Sequence, residues 1–114
     1  MDELSALLIA KSLDGLAMRA SAISQNISNA NSPGYSPIRV SFEEELRDAA
    51  NVGPDAVRAL EPQFVRTIAA EGSSELRIDL EMASASETAL RYSALVDVLS
   101  RQLQISRLLV TGGR

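Results

Sequence analysis

Glu43, Glu44 and Glu45 stand in a row, the densest run of groups in this sequence that could give or take a proton. General acid–base work needs a second group held across the substrate from the first. Here no partner converges on the triplet by spacing. Three adjacent glutamates read more simply as a solvated first helical turn, where the macrodipole favours negative charge. The chain has no His and no Cys. It lacks the imidazole that commonly titrates near neutral pH and ligates transition metals. It equally lacks thiolates for nucleophilic attack, disulfides or zinc. No phosphate-cradling loop, nucleophile motif or metal-ligand spacing occurs. The expectation is a protein that is not an enzyme, with no catalytic residue, cofactor or metal.

The charge balance points away from nucleic acid. Lys and Arg number 11 against 15 Asp and Glu, a net charge of -4, and the basic residues are scattered without forming a stripe. Arg91, Arg101 and Arg107 suit either solvent or acidic groups on a neighbouring molecule. Hydrophobic residues reach 46% while aromatics are only 4%, with no Trp. That aliphatic, Ala- and Leu-rich content suits helix packing better than a sheet sandwich. At 114 residues a single small domain of modest stability is expected. No apolar run approaches the roughly 20 residues needed to span a bilayer. The acidic start, Met1-Asp2-Glu3-Leu4, is unlike a cleavable secretory signal.

Three segments follow from the patterning, within one domain: residues 1–31, 32–78 and 79–114. The spacing predicts a helix from about Asp2 to Asn29, with Ile9, Leu13, Leu16, Ala20, Ile23, Ile27 and Ala30 stepping by three and four as a heptad seam. Gly15 weakens its middle by about 1 kcal/mol relative to Ala. Asn29, Asn31, Ser32, Pro33 and Gly34 stop it, Pro33 and Gly34 being suited to the two central positions of a type II turn. In the middle segment, Ile38 to Phe42 alternates as a short strand, and Ser41 is placed to cap a short acidic helix over 42–50. Asn51 to Pro54 would end that helix, residues 60–70 would form a second extended piece, and Glu71 to Ser74 a turn.

The longest helical pattern covers 79–111. Met82, Ala85, Ala89, Tyr92, Val96, Leu99, Leu103, Ser106 and Val110 form its stripe, with Leu95, Val98, Ile105 and Leu109 beside it. Asp79 is placed as N-cap, Gly112-Gly113 as the stop, and Arg107 as a complement to the dipole at the C-terminal end. The fold expected is mainly α, with the two long terminal helices packed as an antiparallel coiled-coil hairpin around a short irregular or extended middle. The heptad faces can serve as an internal core or as a seam between molecules. Each apolar stripe is wider than one partner helix covers, which points to obligate assembly. The interface candidates are Ile9, Leu13, Leu16, Ile23, Tyr92, Val96, Leu99, Leu103 and Val110.

One stretch is more specific. Ser24-Gln25-Asn26-Ile27-Ser28-Asn29-Ala30-Asn31-Ser32-Pro33-Gly34-Tyr35 resembles the motif of flagellar rod and hook proteins, a long helix ending in Asn-Ile-(Ala/Ser)-Asn followed by a Thr/Ser-Pro-Gly-Tyr turn. The acidic residues after Phe42, the run from Asp79 to Leu103 and the Gly112-Gly113-Arg114 ending are similar to proximal members of the basal-body rod family. Ser28 departs from a common Ala, and the middle is short. The resemblance implies a structural subunit of the periplasmic rod, built helically from its terminal helices to carry torque. It implies export through the flagellar type III apparatus without a cleavable signal. It also implies, as partners, further copies of the chain and FlgC-like and FliE-like basal-body proteins. A cytoplasmic helical adaptor or export chaperone, using the same apolar faces to hold a client, is the alternative.

Overall fold

Asp2 starts the first helix, α1 (Glu3–Ser28): its backbone is extended and its carboxylate accepts the Ser5 amide at 2.7 Å, which satisfies one of the free N–H groups at the helix start. The computed structural model describes residues 1–67 and 77–112 and is mainly helical, with a long helix at each end. α1 stops at Asn29, whose amide bonds back to the Gln25 carbonyl. The Ser32–Tyr35 turn then forms as expected, with the Tyr35 amide on the Ser32 carbonyl at 3.3 Å and Gly34 at φ +73°, the left-handed angle that a type II turn requires.

The middle segment is more ordered than its sequence pattern implied. Strand β1 (Ile38–Ser41) alternates buried and exposed residues and pairs antiparallel with β2 (Gln63–Arg66), Val40 lying opposite Phe64. Between them lie two short helices, α2 (Glu43–Val52) and α3 (Pro54–Ala59). The sequence reading has no counterpart of α3; Pro54 starts it, as proline at the first helical position does. Ser41 does not cap α2. It belongs to β1 on its exposed side, and Phe42 occupies the cap position with no side-chain cap bond. The extended piece over 60–70 contracts to β2, and the Glu71–Ser74 turn lies outside the described residues.

The last helix, α4 (Ile78–Gly112), begins one residue before Asp79, so Asp79 sits inside its first turn rather than capping it; the Arg77 guanidinium holds that carboxylate. Arg107 falls short of the final turn, because the helix runs on through Gly112. Arg91 and Arg101 form ion pairs within the helix, to Glu87 and Asp97 four residues earlier, and Arg91 also lies 3.6 Å from the Glu43 carboxylate of α2. At ~1.5 Å per residue, 35 residues make α4 roughly 52 Å long against roughly 39 Å for the 26 residues of α1.

The core joins Leu16 and Ala22 of α1 to Ile38, Val40, Phe42, Leu46 and Val57 from β1, the start of α2 and α3. Phe42 lies on Gly15: a Cβ there would stand 2.5 Å from the ring carbons. The mid-helix glycine, which looked like a weakness, is the gap that admits the ring. Among the described residues, α4 adds only a half-buried Leu95 to this cluster.

Candidate functional site

Asn26 is fully buried, and its side chain uses all four hydrogen-bonding positions. Its Oδ1 accepts the Tyr35 hydroxyl at 2.7 Å and the Ile38 amide at 2.8 Å; its Nδ2 donates to the Ile38 carbonyl at 2.9 Å and to Glu81 Oε2 at 3.3 Å. One side chain thus ties together the end of α1, the turn, β1 and the first turn of α4. Glu81 is itself buried, and its other oxygen lies 2.6 Å from Arg39 on β1. Among the described residues every buried side-chain polar atom has a partner. A network of this kind, complete within the fold, leaves no buried polar group without its partner.

The remaining motif residues support this hub from outside. Asn29 bridges its own helix and the following loop: its Nδ2 bonds to the Gln25 carbonyl, and its Oδ1 accepts Ser32 Oγ. Tyr35 is braced on its other side by Arg66 of β2, whose guanidinium sits 5.7 Å from the ring centre. Ile27 is half-buried, and Asn31, Ser32, Pro33 and Gly34 are exposed.

A second clamp centres on Arg19, which sequence reasoning left as one of many scattered cations. Its Nη2 and Nε donate to the Val40 carbonyl, its Nη atoms make a two-pronged pair with Glu43 at 2.7 Å, and its plane lies 5.0 Å from the Phe42 ring centre. Glu43 is therefore pinned, unlike Glu44 and Glu45, which are exposed as a solvated first turn should be. No spacing rule flags Arg19, since its partners lie 21 and 24 residues away.

The Arg19 hydrogen bonds hold the Glu43 carboxyl down at about 2, from its ordinary 4.5. A folded-state pKa below the unfolded one stabilises the fold above the unfolded pKa, and this contribution is lost as pH falls from about 4.5 towards 2. Because the Glu43 side chain is 43% exposed, solvent screening limits the effect to about 1 kcal/mol. Glu43→Gln should remove it: wild type should exceed the variant by that margin at pH 6, and the gap should close by pH 2. A gap that persists at pH 2 would mean that charge is not the cause.

The interface candidates divide cleanly. On α1, Leu16 and Ile23 are buried and Ile9 and Leu13 half-buried. On α4 the buried residues are Glu81 and Thr88, followed by half-buried Ser84, Ala85, Leu95, Leu99 and Gln102. The side turned towards α1 is therefore largely polar or small. Most of the expected apolar stripe is exposed: Met82 is 60% exposed, Leu103 53% and Val110 76%, with Val96 also exposed, Ala89 and Tyr92 exposed along a groove shared with Leu16 and Ala20 of α1, and Ala85 and Leu99 half-covered. Leu108 and Leu109 extend this surface at the far end of the helix.

Among the described residues no three metal-ligating side chains cluster, and no helix is long and apolar enough to cross a membrane. No protein-family model matches the chain, and no curated protein matches it.

Proposed function

We propose that the chain is a structural subunit of the bacterial flagellar basal-body rod, of the FlgB kind, that assembles through its terminal helices into a torque-transmitting shaft. The observation that carries this is the exposed apolar row of α4, Met82, Val96, Leu103 and Val110, on a helix whose buried residues, Glu81 and Thr88, are polar. An exposed stripe of this length is out of place on a solitary molecule and marks an association surface. The turn motif supports the same reading: Asn26, Tyr35 and Gly34 set the angle at which the chain leaves α1, and so the position of everything that follows.

In this proposal α1 and α4 form an antiparallel coiled-coil hairpin. Supporting it, Asn26 near the end of α1 meets Glu81 near the start of α4, while Ser12 and Leu16 share a groove with Arg91 and Leu95 further along. The two helices thus run past each other in opposite order. The hairpin contributes its outer α4 face to neighbouring copies and to other axial proteins of the basal body.

Leu103→Asp and Val96→Asp place a charge on the exposed row without touching the core. Both variants should keep wild-type helicity and abolish incorporation into basal bodies, with loss of motility. Complete basal bodies in either strain would sink the proposal. Fractionation separates it from a cytoplasmic adaptor or chaperone: a rod subunit purifies with basal bodies, and an adaptor stays in the cytoplasm.

A further inference from the structure

We propose that α4 is a detachable arm, fastened to an independently folded unit of α1, β1, α2, α3 and β2 by a polar clasp in which Glu81 bridges Asn26 and Arg39. This holds whether or not the chain is a rod subunit, since it rests only on where the core lies.

The buried apolar cluster draws on α1, β1, the start of α2 and α3. Among the described residues Leu95 alone reaches it from α4, and it is only half-buried. The two buried residues of α4 are Glu81 and Thr88, both polar. Apolar burial is the chief source of folding stability: undocking leaves that cluster assembled apart from Leu95, and opens the grooves in which Leu80 and Ser84 lie beside Ile23 and Ala89 and Tyr92 beside Leu16. The polar links that undocking breaks are the clasp, with its 3.3 Å bond from Asn26 Nδ2 and its 2.6 Å pair with Arg39, and a looser 3.6 Å pair between Arg91 and Glu43. All are interactions that water replaces well once the groups are exposed. Asn26 still has Tyr35 and both backbone groups of Ile38 after α4 leaves, so the hub on the α1 side survives. Local openings of this sort occur where few apolar contacts tie an element to the rest.

Native-state hydrogen exchange on the full chain tests this. Amides over residues 84–99 should exchange at least ~10-fold faster than those over residues 16–26, reporting undocking below global unfolding. Glu81→Ala should speed the first set by roughly 10- to 100-fold and leave the second unchanged. Arg39→Gln, on a half-exposed residue that carries no core packing, should act in the same direction by a smaller factor. A common rate for both sets in wild type would overturn the proposal. So would equal acceleration of both by either variant. Outright unfolding of Glu81→Ala would overturn it too, because a core that needs α4 is not independent.

Discussion

Asn26→Ala is expected to destabilise the fold by about 3–5 kcal/mol. The residue is fully buried, and its removal strands the Ile38 amide and carbonyl, the Tyr35 hydroxyl and one Glu81 oxygen. Each orphaned group loses its partner without regaining water. Asn26→Asp should be nearly as damaging despite its matching shape, because it removes the donor and sets a carboxylate against Glu81. A domain of this size has about 5–15 kcal/mol in all, so either variant should be close to unfolded at 37 °C. Urea titration followed by circular dichroism reads the change. A loss below about 1 kcal/mol for Asn26→Ala would show that the network is not what holds the turn to α1.

Gly15→Ala should destabilise where helix propensity alone says it should stabilise. In an exposed helix the change gains about 1 kcal/mol. Here the new methyl would sit 2.5 Å from the ring of Phe42, a side chain 2% exposed and covered by Arg19. Overpacking of this kind costs about 1–3 kcal/mol, and Phe42→Ala on its own should cost about 3–5 kcal/mol through the cavity it leaves. The pair should couple. In a Phe42→Leu background, Gly15→Ala should become neutral or stabilising, because the ring it strikes is gone. Additive effects in that double-mutant cycle would refute the contact.

These two sites show where sequence reasoning stops. The ends of α1, the type II turn and the strand at Ile38–Ser41 could be read directly, because capping, proline–glycine and alternation signals act over a few residues. The extent of α4 was readable to within a residue at its start, from its three-and-four spacing. The face of α4 that meets α1 was not. Periodicity locates the apolar stripe, but it does not say whether the stripe points to the neighbouring helix or away from the molecule. The structure leaves every residue from Leu103 to Gly112 exposed, where α4 is longer than α1, and nearer the core it buries Glu81 and Thr88 while Met82 stays exposed. Glu81 stands in the first turn of α4, where acids are common on dipole grounds alone, and its buried partner Asn26 lies 55 residues upstream. Gly15 was visible as an anomaly; its cause, the ring of Phe42, comes from another element. Pairings at such separations leave no local mark on composition or spacing.

The same division bears on assembly. In the proposed reading, a helix that buries polar groups against its own molecule and leaves Met82, Val96, Leu103 and Val110 exposed carries its association surface with it. Burying exposed apolar area at about 25 cal/mol per Å² supplies the driving force, and the Asn26 hub fixes the direction in which that surface is presented.

A photo-crosslinking residue placed at position 103 in cells, with the products separated from purified basal bodies, tests that outward face most directly. Leu103 is 53% exposed, so the probe replaces no core contact. The expected result is a crosslink joining this chain to a second copy or to another axial protein within the basal-body fraction. A probe that captures nothing there, or captures only a cytoplasmic client, would contradict the assignment of α4 as an axial contact surface.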